Sequence, residues 1–268
     1  MTTSHPDPLL IDGVPLRSRF FLGTAGHASP EALRACIEAA GADVLTVGLK
    51  RTLQGDNGAL AHALAGARSR GARLLPNTAG CRSAREAIAL AHMARELYDT
   101  AWIKLEVIGD DHTLQPDPVE LLAAATALVR DGFVVFPYCT EDLVMGRRLL
   151  DAGCPLLMPW GAPIGSGQGL LHLAGLRTLR ERLPEAVLIV DAGIGAPSQA
   201  AQAMELGYDA VLLNSAVAQA RDPVAMAGAF REAIQAGRSA WKAGLMAPQS
   251  MAVASTPVSG HAFLLGEP

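Results

Sequence analysis

Trp102-Ile103-Lys104-Leu105-Glu106-Val107 reads as a strand interior that carries a lysine where a run of this kind normally excludes charge. Side chains along a strand alternate between two faces, so Trp102, Lys104 and Glu106 share one face and Ile103, Leu105 and Val107 the other. The amine and the carboxylate therefore project together. If that face lines an enclosed site, burial lowers the lysine pKa, a nearby carboxylate opposes the fall, and a partly neutral amine attacks carbonyl groups. A structural pairing with Glu106, or a lysine snorkelling at a strand edge, accounts for the hexapeptide equally well. The surrounding chain decides between them.

Outward from this strand, short apolar runs alternate with amphipathic segments. The expected strands are Phe20-Leu22, Val44-Leu49, Arg73-Leu75, Trp102-Val107, Phe133-Pro137, Leu156-Met158, Val187-Val190 and Ala210-Leu213. Helices are expected near Pro30-Ala40, Ala59-Arg70, Ala84-Leu97, Val119-Arg130, Asp142-Ala152, Leu173-Arg182, Ser198-Leu206 and Pro223-Ala236. Pro30, Pro118, Pro197 and Pro223 stand where first helical turns begin, and Gly41, Gly132, Gly153 and Gly207 follow expected helix ends. Eight alternations without a linker predict an α/β chain folded as a (β/α)8 TIM barrel, one domain over 1–268, with 240–268 an irregular tail or lid. An open doubly wound sheet would need a nucleotide fingerprint after an early strand, and Gly23-Thr24-Ala25-Gly26 does not supply one.

Composition narrows the classes of function. Half of the 268 residues are hydrophobic and 18% charged, which suits strands buried on both faces. A net charge of −4 provides no broad basic surface for nucleic acid. The N-terminus has no secretory pattern, and no apolar stretch approaches the roughly 18 residues of a membrane span. Cys36, Cys81, Cys139 and Cys154 form no CxxC pair, so reduced thiols and a cytoplasmic chain are expected. His27, His62, His92, His172 and His261 make no HxH or HExxH pattern, and Asp110-Asp111-His112 reads as a solvated loop, so no metal is expected.

In this fold catalytic groups gather at the C-terminal strand ends, and the loops there are rich in Gly, Pro, Asn and hydroxyl residues. Loops seven and eight commonly hold phosphate, because glycine lets backbone N–H groups approach an anion. Gly193, Gly195, Asn214 and Ser215 fit that role, although glycines also end strands in barrels that bind no phosphate. Asp191, closing strand seven, is either a buried hydrogen-bonded carboxylate or an acid/base partner of Lys104 and Glu106. Arg51, beside Lys50, offers charge to an anionic substrate or is a surface residue. Cys81 and Cys139 stand near the mouth without an activating base and read as inert buried thiols.

With these positions assembled, the chain resembles the thiazole synthases of bacterial thiamine biosynthesis from about Leu10 to Gly244. The resemblance is carried by Leu75-Pro76-Asn77-Thr78-Ala79-Gly80, Trp102-Ile103-Lys104-Leu105-Glu106, Met158-Pro159-Trp160-Gly161-Ala162-Pro163-Ile164-Gly165-Ser166-Gly167, Asp191-Ala192-Gly193-Ile194-Gly195 and Leu212-Leu213-Asn214-Ser215-Ala216. It implies a (β/α)8 enzyme joining 1-deoxy-D-xylulose 5-phosphate, dehydroglycine and sulfur into a thiazole phosphate carboxylate, with no cofactor. Lys104 matches the imine-forming lysine, and Glu106 and Asp191 match acid/base residues. Gly165, Ala192, Gly193, Asn214 and Ser215 match substrate-phosphate contacts. It also implies a thiocarboxylated ubiquitin-like sulfur carrier protein as partner and a homo-oligomer, a tetramer being favoured. Gly23-Thr24-Ala25-Gly26-His27 departs from the family's Gly-Thr-Gly-Lys-Tyr, Lys50 replaces an arginine, and Ser215 replaces a threonine. A related sulfur-inserting enzyme making a thiosugar phosphate, and an imine-forming aldolase or lyase, use the same lysine and remain alternatives.

Overall fold

The structure, a computed structural model, describes residues 7–49, 57–253 and 255, with 57–62 described as backbone. Two short antiparallel strands come first, β1 (Leu9–Ile11) and β2 (Val14–Leu16). The barrel strands follow as β3 (Phe20–Gly23), β4 (Val44–Gly48), β5 (Arg73–Asn77), β6 (Trp102–Leu105), β7 (Val134–Cys139), β8 (Leu156–Pro159), β9 (Val187–Asp191) and β10 (Ala210–Leu213). They pair in parallel in the order β10-β3-β4-β5-β6-β7-β8-β9, which closes the sheet into the expected (β/α)8 barrel. The helices are α1 (Pro30–Ala40), α2 (Asn57–Ser69), α3 (Ala84–Tyr98), α4 (Pro118–Arg130), α5 (Leu143–Asp151), α6 (Leu173–Arg182), α7 (Pro197–Glu205), α8 (Ser215–Ala218) and α9 (Pro223–Ala243).

Local chemistry sets the element ends. Ser29, Ser83, Asp117, Asp142 and Asp222 cap α1, α3, α4, α5 and α9 by accepting first-turn N–H bonds. All four expected prolines open helices. Each expected strand and helix is present, displaced by a residue or two at its ends, except at the last helix.

α9 runs to Ala243 rather than to Ala236, so the first residues of the segment expected to be irregular are helical. The extra turns are held by tertiary contacts that a local reading does not contain. Arg238 pairs with Asp7 at 2.8 Å and stacks on Trp241 at 4.2 Å, while Trp241 packs against Gly207. With Arg238 first among the causes, Asp7 is held at about 2. These partners lie at the N-terminal face, so the chain leaves α9 at the end opposite the strand C-termini. The rest of the described tail, Gly244 onward, has no helix or strand, and Pro257 and Gly260 lie outside the described residues.

The barrel interior is layered. Leu9, Ile11 and Leu16 of the β1–β2 hairpin close its N-terminal end against Phe21, Val44, Leu75, Trp102, Phe136, Leu156 and Ile189. The hairpin was absent from the expected elements. Its turn is Asp12-Gly13, both at positive φ (49° and 72°), and Asp-Gly between apolar residues is a sequence signal for such a turn. Ile103, Leu105 and Val107 face the helices in the outer core, as the alternation predicts.

Candidate active site

Above the apolar layer the interior turns polar. Lys104, Glu106 and Asp191 are only 6%, 4% and 1% exposed. Lys104 Nζ lies 2.6 Å from Asp191 Oδ2 and 3.3 Å from Glu106 Oε1. Glu106 follows β6, two residues beyond Lys104 on the same face, and Asp191 ends β9, three strands round the barrel, and points into the same interior. Thr78 fixes the Glu106 backbone, its hydroxyl accepting from Glu106 N–H and donating to Glu106 O, both at 2.8 Å.

Burial opposes the charged form of Lys104, yet Asp191 and Glu106 together outweigh it and hold the amine above its ordinary pKa. The expected fall is therefore corrected. Lysine alone in an enclosed site would neutralise, but closure of the barrel brings a second carboxylate to it from a strand distant in sequence. For Asp191, burial raises the pKa, Lys104 pulls it back, Glu106 pushes it up again, and the net shift is upward. The resting site thus holds an ammonium beside a carboxylate of enhanced basicity, separated by one hydrogen-bond length. That arrangement supports proton transfer between nitrogen and oxygen.

All three groups line a cavity of about 840 Å³ at the strand C-termini, together with Gly165, Ala192, Gly193, Asn214 and Ser215. The residues singled out in the sequence therefore converge on one opening. Ala192 and Gly193 both have positive φ (66° and 77°), a conformation that turns successive N–H groups toward one side. A Cβ on Gly193 would lie 2.3 Å from Ala162 N, so only glycine lets loops six and seven meet there. Asn214 differs from a simple phosphate donor: its side-chain amide donates to Ala25 O at 2.9 Å, and its Cβ occupies the space left by Gly23.

Asn77, paired with Lys104 across β5 and β6, and Thr24 and Thr46 also line the cavity but were given no role from sequence. Tyr138 was missed as well. Its inward face is a consequence of barrel register, not of any motif. Cys139 faces the outer core with its pKa driven far up by burial, and Cys154 is pushed up to about 12, so neither reads as a nucleophile. Asp110 caps the turn at His112 and Thr113 and Asp111 pairs with Arg82 at the surface, as expected of a solvated loop. No group of three metal-binding side chains occurs among the described residues. Lys50 and Arg51 lie outside the described residues.

These features define a (β/α)8 barrel enzyme with a lysine-centred site at the C-terminal mouth. Residues 10–257 match the family described as thiazole biosynthesis protein ThiG, and the chain belongs to that family. It is 62% identical to a thiazole synthase of Gluconobacter oxydans over 94% of this chain and 98% of that one. It is 57% identical to a thiazole synthase of Erwinia amylovora, covering 95% of this chain and 99% of the relative. Among solved structures, the Amycolatopsis orientalis BexX/CysO complex contains a chain with TM-score 0.83 and 31% identity, covering 91% of this chain and 99% of that one.

Proposed function

We propose that this chain is the thiazole synthase of thiamine biosynthesis and that it works through an imine on Lys104. The observation that carries the reading is the buried Nζ between Asp191 and Glu106, facing a cavity lined by backbone-rich loops. Asp191 accepts a proton from the ammonium, and the free amine adds to the ketone of 1-deoxy-D-xylulose 5-phosphate. Asp191 returns the proton to the leaving hydroxyl, so water departs and an iminium remains. Glu106 then serves the tautomerisation that exposes the neighbouring carbon as a carbonyl. Sulfur arrives on the C-terminal thiocarboxylate of a small carrier protein, and condensation with dehydroglycine closes the ring.

Backbone N–H groups of Gly165, Ala192, Gly193 and Asn214, with the Ser215 hydroxyl, hold the substrate phosphate so that the ketone stays near the lysine. A protein partner is supported by the BexX/CysO complex, a similar barrel solved in a complex. In this reading the chain acts as one barrel domain, as a cytoplasmic homo-oligomer for which a tetramer is favoured. Free buried cysteines suit a reducing compartment, and no described helix is long and apolar enough to cross a membrane.

Borohydride added with the pentulose phosphate tests the reading. A reduced adduct located at Lys104 by peptide mass is expected, and reconstitution with dehydroglycine and thiocarboxylated carrier should yield thiazole phosphate. An unmodified Lys104 under conditions that sustain turnover refutes the imine. Sulfur-independent carbon–carbon cleavage would indicate a lyase, and preference for a hexose phosphate a thiosugar enzyme.

A further inference from the structure

Tyr138 lies two residues beyond Phe136 on β7 and shares its inward face. Lys104 pairs with Phe136 and Leu105 with Pro137, a register that continues to set Tyr138 beside Glu106. Its ring centre is 5.7 Å from Lys104 Nζ. The side chain is wholly buried, and its hydroxyl has no hydrogen-bond partner among the described residues. Burial raises the phenol pKa far above its ordinary value, helped by Asp191, Glu106 and Cys139, so the group remains a donor. A buried donor without an acceptor opposes folding, and phenylalanine would avoid that cost. The hydroxyl therefore needs an explanation outside the resting state.

Imine formation supplies an acceptor. The ammonium of Lys104 has three N–H donors and stands within ion-pair distance of both Asp191 and Glu106. Condensation converts R–NH3+ and a ketone into R–NH+=C and water, and the charge is kept while two N–H donors are lost. One remaining N–H satisfies one carboxylate. Asp191 is the nearer, so Glu106 loses its partner inside a closed site.

We propose that Tyr138 is a positioning residue whose hydroxyl donates to the Glu106 carboxylate once Lys104 has become an iminium. Glu106 is then held in orientation for the tautomerisation. This inference rests on the imine reading above.

The test compares wild type with Tyr138→Phe, using borohydride trapping with pentulose phosphate at a single pH. The variant should melt no lower than wild type, because it loses only an unpartnered hydroxyl. Its adduct yield should fall by about 10- to 100-fold, the effect of one hydrogen bond to a charged acceptor. In a Glu106→Gln background the further loss from Tyr138→Phe should shrink below about twofold.

A variant that traps Lys104 with wild-type yield overturns this inference alone. So does a loss that persists undiminished in Glu106→Gln. A wild type that traps nothing overturns the imine reading and this one with it.

Discussion

Lys104→Met removes the charge while keeping an unbranched side chain of similar length, and leaves Asp191 and Glu106 facing each other without a cation. Both carboxylates are under a tenth exposed, and Asp191 loses a partner at 2.6 Å. Breaking a buried ion pair from one side costs about 3–5 kcal/mol, because an uncompensated charge remains. Proton uptake relieves that cost. Asp191 is already raised above the ordinary carboxylate range in the intact site, and loss of Lys104 removes the chief influence pulling it down.

For a carboxyl whose folded pKa exceeds its unfolded value, the neutral form favours folding, so stability is present at low pH and lost as pH rises toward the folded pKa. The loss is about 1.4 kcal/mol per pH unit for each proton involved. Urea denaturation near pH 4.5 and pH 8 should therefore give a deficit relative to wild type that is small in acid and reaches about 3–5 kcal/mol at the higher pH. An equal deficit at both pH values, or a larger one in acid, refutes the assignment of Lys104 as the counter-charge of this cluster.

Gly193→Ala places a Cβ 2.3 Å from Ala162 N at a φ of +77°; a rise of at least about tenfold in KM for sugar phosphate, with kcat less affected, is expected in steady-state kinetics. Thr78→Val strips the hydroxyl that bridges Glu106 N–H and O, leaving a buried donor unpaired; chemical denaturation should register a loss of about 1–3 kcal/mol, and kcat should fall with it. Gly13→Val puts a β-branched residue at φ +72° in the hairpin turn beneath the barrel, and should lower stability by about 1–3 kcal/mol while leaving KM unchanged.

The sequence by itself determined the barrel. Alternating periods of two and 3.6, proline at helix starts and glycine at helix ends are local chemistry, and each depends only on residues a few positions apart. Local reasoning also placed Lys104 and Glu106 on one face, because a strand of any register alternates. It stopped where partners come from distant segments. The second carboxylate at Lys104, which together with Glu106 reverses the direction of its pKa, arrives only when the barrel closes and brings the end of β9 to β6. The length of α9 depends on Asp7 and Gly207, far from Arg238 and Trp241 in the chain. Asn214 is turned toward Ala25 by space that Gly23 leaves on a neighbouring strand, and Tyr138 meets Lys104 through sheet register. Burial and electrostatic coupling depend on distances across the closed barrel, and only the tertiary structure sets those distances.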